Sequence, residues 1–394
     1  MRRLTVLVSI VLALLGSRFA MAQNATPGAS PSVGCAATTE AANEAIAHRW
    51  SDVWQTQDLD ALDALISPDY VHHWGAGADV KGADAFKKSL RDFFTAFPDT
   101  KTTVEEAIVD GDEVVLRYTS TGTQTGPLGA LAPTGNRATY EGISIVHISC
   151  GQIDEVWTEI DGLGRLQQLT GAAGAFAAST PVPSRGGSAA ASPAACAATS
   201  EGEAEDLVRS WFDVWNTRDL ASLDALGAAD YMHHWGGQVP DTTDLNSYKQ
   251  RIDEFLHAFP DLHATVNDVI IDGDLVVVRW TENGTQQGRF GNLEPTGKNV
   301  TWTGINIFRV ECGQVVESWN ATDGIGLQQQ LGADLRGTPA APPAAQHEVQ
   351  RARFPRCQGW DRTGRAVSVW VKNGNTFLAE QQDHRDERRS AIDY

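Results

Sequence analysis

Two histidine pairs, His72-His73 and His233-His234, are the groups best suited to proton transfer in this 394-residue chain. Tyr70 and Tyr231 stand two residues before them, and Trp74 and Trp235 close each run. Imidazole titrates near neutrality, so it can act as acid or base at physiological pH. On a strand, alternation puts Tyr70, His72 and Trp74 on one side and Val71 and His73 on the other. At least one histidine of each pair is therefore expected to face an interior cavity. All four are candidate catalytic residues. The same pattern also suits histidines that hydrogen-bond neighbouring strand ends and orient the tryptophans, and the residues leave both readings open. Adjacent strand residues point apart and no H-x-H or H-E-x-x-H spacing occurs, so no metal site is expected.

The duplication of the pair reflects a duplication of the chain. Cys35, Trp54 to Asp63, Phe97-Pro98-Asp99, Asp110-Gly111-Asp112 and Cys150-Gly151 recur in order as Cys196, Trp215 to Asp224, Phe259-Pro260-Asp261, Asp272-Gly273-Asp274 and Cys312-Gly313. A repeat this long encloses its own core, so these are two domains rather than solenoid units.

Around the copies, residues 1–22 read as a cleaved secretory signal: Arg2-Arg3, an apolar run, then Ala20-Met21-Ala22. Residues 23–34, 171–195 and 334–345 are low-charge linkers, leaving domains at 35–170 and 196–333. The tail, 346–394, is basic, with a hairpin signal at Asn373-Gly374. Export to an oxidising compartment makes Cys35–Cys150 and Cys196–Cys312 the expected disulfides, with Cys357 left over. The formal net charge of −19 argues against nucleic acid or anionic lipid as partner. After signal cleavage no membrane association is expected.

Each copy opens with helical periodicity, at 41–53 and 203–214, then at 59–65, then at 83–94 and 245–255. After Phe-Pro-Asp the period becomes two, giving strands at 102–109, 113–121, 138–149 and 153–159 in the first copy. Helices followed by an antiparallel meander predict an α+β fold, with a curved sheet wrapped on about three helices around a cavity. Tyr140 and Trp302 are expected on its wall. Asp161 and Asp323, each before a glycine, read either as a site or as caps of a final helical turn.

The order Phe-Pro-Asp, Gly-Asp, Gly-Thr-Gln-x-Gly (Gly122 to Gly126, Gly284 to Gly288), Pro-Thr-Gly (Pro133 to Gly135, Pro295 to Gly297), the Trp157 strand and Gln168-Leu169 resembles the SnoaL-like polyketide cyclases, or ester cyclases. The second copy closes similarly with Gln330-Leu331-Gly332. The resemblance implies two cones of the nuclear transport factor 2 and ketosteroid isomerase type. It also implies an aldol closure without metal or cofactor, in which a cavity aspartate moves a proton next to a carbonyl.

The sequence departs from that pattern where the chemistry lies. The catalytic aspartate falls at Thr158 and Asn320, neither of which is a general base, and a cavity histidine falls at Ser144 and Asn306. The histidine that follows Gly-Thr in related members becomes Gln124 and Gln286. The resemblance places these six residues, with Tyr70, Trp74, Tyr140, Tyr231, Trp235 and Trp302, around a ligand cavity in each cone. The expected ligand is a hydrophobic carbonyl compound of polyketide type. Two functions remain: a cofactor-free cyclase, isomerase or dehydratase, or a secreted module that binds without converting. An internal pseudo-dimer or a homo-oligomer is compatible with either.

Overall fold

The computed structural model describes residues 38–75, 77–171, 197–236 and 239–333, and the backbone of three strands beyond them. The expected leader, most of the expected linker residues, Cys35, Cys196, Cys357 and Asn373-Gly374 lie outside the described residues.

The first helix, α1 (Glu40–Thr56), starts where the Thr39 hydroxyl accepts the Ala42 N–H, and it ends at Gln57 in the left-handed conformation. Its buried stripe is Ala47, Trp50 and Val53. The chain continues through α2 (Leu62–Leu65), β1 (Ile66–Trp74), β2 (Val80–Lys81) and α3 (Ala83–Ala96), whose Phe86, Leu90 and Phe94 recur every fourth residue on the core side. Then come β3 (Lys101–Asp110), β4 (Glu113–Thr123), β5 (Arg137–Ser149), β6 (Gln152–Ile160) and α4 (Gly162–Thr170). The second module repeats this with α5 (Glu201–Thr217), α6 (Leu223–Leu226), β7 (Gly227–His234), α7 (Leu245–Ala258), β8 (His263–Asp272), β9 (Leu275–Thr285), β10 (Asn299–Glu311), β11 (Gln314–Thr322) and α8 (Gly324–Leu331). Ser200 and Glu203 form a full capping box at the start of α5.

The sheets run β2-β1-β6-β5-β4-β3 and β7-β11-β10-β9-β8. Each is antiparallel except for one pair: β1 lies parallel to β6, and β7 parallel to β11. That pairing sets each histidine strand beside the last strand of its module. Cys150-Gly151 and Cys312-Gly313 take positive φ at both positions and turn β5 into β6 and β10 into β11, a type I′ geometry matched to strand twist.

The outer faces of the two sheets pack on each other. Ile108, Val115, Ile143 and Ile145 of the first meet Ile270, Val277, Ile305 and Ile307 of the second. The contact is two-fold. The Val109 N–H donates to Asp272 and the Ile271 N–H to Asp110, both at 3.3 Å. The Arg117 guanidinium lies 4.7 Å from the Trp319 ring centre, and Arg279 lies 4.6 Å from that of Trp157. The Asp-Gly-Asp hairpins therefore also fasten the modules together.

A separate unit, 341–394, contains β12 (Gln358–Trp360), β13 (Ala366–Lys372) and β14 (Asn375–Ala379), paired antiparallel. No helix among the described residues is long and apolar enough to cross a membrane, and those residues hold no cluster suited to a metal ion.

Candidate functional site

In the second module the concave side of the sheet, α5 and α7 surround a cavity of about 890 Å³. That volume suits a drug-sized ligand. Trp211, Phe212, Trp215, Phe255, Trp280 and Phe308 supply apolar wall. These aromatics come from alternate positions of β9 and β10 and from the inner faces of the helices, so the periodicity that builds the core also builds the cavity.

Glu282 is a carboxyl on that wall. It sits at an inward position of β9 after Val276, Val278 and Trp280, and only 4% of it is exposed. Burial pushes its carboxyl up to about 8, against the opposing hydrogen bond from Trp302. A carboxyl in that range can both give and take a proton near neutral pH. His233 lines the same cavity. Its Nδ1 shares hydrogen bonds with the Tyr231 hydroxyl (3.0 Å) and the Ser318 hydroxyl (2.6 Å), while its Nε2 is buried with no partner. Burial, then the nearby His234 and Arg251 charges, lower its pKa to about 3, so the ring is neutral. The indole N–H of Trp235 is likewise buried without a partner. Asn306 accepts from Trp280 Nε1 (2.7 Å) and from Asn320 Nδ2 (2.8 Å), which aligns both amides along the wall.

The expectation of a ligand cavity in each cone fails in the first. Its remaining void, bordered by Trp50, Trp54, Trp74, Tyr118, Ser144 and Thr158, is about 20 Å³, room for about one water. Aromatic rings fill the rest. Trp74 stacks flat on His72 at 4.2 Å, Phe86 lies on it at 5.0 Å, and Trp54 packs on Trp50 at 4.7 Å. The polar groups satisfy one another: Tyr70 hydroxyl to His72 Nδ1 (2.8 Å), His72 Nε2 to Thr158 (3.0 Å), and Thr158 to Ser144 (2.8 Å). Burial holds His72 well below the ordinary histidine range. Where the second module has Glu282, the first has Ser120, tied to Thr102 at 2.8 Å. Tyr140 lies under the Arg165 guanidinium, 4.9 Å from its ring centre, and does not border the void.

His73 and His234 leave the interior. His73 bridges Asp79 (2.7 Å) and Glu155 (2.8 Å) and stacks on Trp157; His234 bridges Asp241 (2.8 Å) and Glu317 (3.0 Å) and stacks on Trp319. The hydrogen bond to Glu155 leads in raising His73. In His234 burial pulls downward, but Asp241 and Glu317 prevail and lift it to about 9. Both act as clamps between a histidine strand and the last strand of the module.

Gln124 and Gln286 are placed differently from expectation. Gln124 donates to the Gly126 and Ala132 carbonyls and accepts from Thr134; Gln286 does the same with Gly288, Glu294 and Thr296. A loop whose carbonyls would otherwise be orphaned needs such an amide, so these residues hold backbone rather than ligand. Tyr231, wholly buried behind His233, is also absent from the cavity wall. Trp235, Trp302, Asn306 and Asn320 do line it. Asp161 and Asp323 cap α4 and α8 by accepting from Gly164 and Gly326. Sequence reasoning missed Glu282 and Arg251. Both differ between the copies, the first of which has Ser120 and Ser89 at those places, so a search for shared residues passes over them.

The sequence model of the SnoaL-like polyketide cyclases matches residues 44–169 and 205–331. Similar solved structures include IdmH from Streptomyces antibioticus, 31% identical over 33% of this chain and 99% of that one, with a TM-score of 0.30. Another is TsrD from Streptomyces laurentii, at 26% over 34% and 97%, with a TM-score of 0.31. A SnoaL-like polyketide cyclase from Agrobacterium tumefaciens is 19% identical over 33% and 98%, with a TM-score of 0.29. No curated protein matches.

Proposed function

The chain belongs to the SnoaL-like polyketide cyclase family, and we propose that, of its two cones, the second is the one that binds a hydrophobic carbonyl compound of polyketide type. Glu282 is the acid–base group there, in place of the aspartate that Asn320 replaces. The observation that carries this reading is a buried carboxyl, held near 8, on the wall of an 890 Å³ apolar cavity. Glu282 would remove a proton next to the carbonyl, while the unpartnered Trp235 N–H supplies a hydrogen bond for the enolate oxygen. The first module, whose cone is filled by its own side chains, is a non-catalytic scaffold.

Export through the leader 1–22 and the pairs Cys35–Cys150 and Cys196–Cys312 belong to the same proposal. In support, Thr38 lies against the Gly151 turn, and Thr199 accepts from the Gly313 N–H at 2.9 Å. Each N-terminal segment thus runs beside the hairpin carrying the second cysteine of its pair.

The test is deuterium incorporation next to the carbonyl of acetylmethoxynaphthalene in heavy water, followed by NMR. The full chain should accelerate exchange, and Glu282→Gln should slow it by about 10²–10⁴-fold with affinity nearly intact. Equal exchange by both proteins, with binding retained, would leave a binder without acid–base chemistry.

A further inference from the structure

The wall of the second module's cavity is not made by the second module alone. Asp161 and Leu163, from the start of α4 in the first module, also line it. They reach it because α4 and α8 cross where the modules meet. Ile325 stands over Gly162, where a Cβ would lie 3.0 Å from its Cδ1, and Leu163 stands over Gly324. A Cβ on Gly236, one residue after Trp235, would be 3.9 Å from Asp161 Cβ.

Within that crossing the two carboxylate oxygens of Asp161 have different lives. Oδ1 accepts the Gly164 N–H at 2.8 Å and caps α4. Oδ2 is buried and has no partner. An orphaned buried acceptor costs about 1–3 kcal/mol, more when charged, and persists where something else satisfies it. Burial also holds this carboxyl above its ordinary range, against the pull of the Gly164 N–H and Arg165. Asp161 Oδ2, Trp235 Nε1 and His233 Nε2 are all orphaned, and all three residues line one cavity.

We propose that Asp161 of the first module is a specificity-determining contact of the second module's site, accepting a hydrogen bond from a hydroxyl or enol O–H on the ligand. This rests on the second-module reading above and adds to it the polar end of the ligand. A compound carrying a carbonyl at one end and a phenolic hydroxyl at the other would answer both the Trp235 donor and the Asp161 acceptor. It also gives the solid first module a use, since that module completes the wall of its neighbour's site. The reciprocal crossing exists: a Cβ on Gly75 would meet Asp323 Cγ at 2.8 Å. There it faces a module with only about 20 Å³ of space.

The test uses the full chain and two fluorescent probes, acetylnaphthol and its methyl ether, which differ only in the hydroxyl proton and its cap. The wild type should bind the naphthol more tightly. Asp161→Asn retains an N-cap side chain but turns the free acceptor into a donor, and should weaken naphthol binding about ten-fold while leaving the ether unchanged. Asp161→Ser, which also caps, should give the same loss and serves if the amide variant melts early. An unchanged naphthol preference in both variants, with the ether still bound, overturns the role of Asp161 and leaves the cavity reading standing. Failure of the wild type to bind either probe overturns both.

Discussion

Trp54 and Trp215 occupy equivalent places on α1 and α5 but face different neighbours. Trp54 packs on Trp50 and, at 6.2 Å, on Phe86, whereas Trp215 packs on Phe255 at 6.0 Å and leaves the centre open. Trp74 lies flat on His72, with 9° between the rings, but Trp235 meets His233 edge-on at 67°. Similar indoles at matching positions thus plug one cone and line the other. The hydroxyls of the first cone, Thr102, Ser120, Ser144 and Thr158, close on one another, whereas the second places Ala264, Glu282, Asn306 and Asn320 at those positions. A duplicated fold can therefore keep its frame while one copy keeps the site and the other fills its own.

The largest expected effect is on stability. Phe86→Ala removes a fully buried ring from a filled core and should cost about 3–5 kcal/mol in urea unfolding. Trp235→Ala cuts back a wall that already faces empty space and should cost less than half as much, a rough expectation from the same series. Equal losses would break the distinction between solid and hollow.

A smaller effect should be the same in both modules. His73→Gln and His234→Gln each remove a partly buried imidazolium between two carboxylates, worth about 1 kcal/mol after allowing for solvent screening. Both histidines titrate above their ordinary value in the folded chain, so the stabilisation is complete below about pH 6.5, the unfolded value. It declines as pH rises, and for His234 it is gone once pH passes about 9. Melting curves from pH 6 to 9.5 should show the wild type converging on each variant. A gap that widened with pH would contradict the clamp.

The frame was legible because its signals are local. Cys-Gly and Asp-Gly-Asp turns and period-two strands each specify backbone within a few residues. The duplication then confirmed them twice. The site was less legible. Whether a cone is hollow depends on the rotamers of Trp54, Trp74 and Tyr118 against distant partners, which spacing does not encode. Gln124 and Gln286 sat beside the expected cavity in sequence, but their amides serve a loop of unpaired carbonyls. Glu282 was visible as a charge at an inward strand position. A comparison of where the copies differ would have singled it out, since Ser120 breaks the repeat there.

The central claim is that one cone of two holds a ligand. Calorimetric titration of the full chain with acetylnaphthol measures it directly. The account predicts a single site per chain, abolished by filling the second cavity with Asn306→Trp and untouched by Ser144→Ala. Two equivalent sites per chain, or one that survives Asn306→Trp and vanishes with a change confined to the first module, would contradict it.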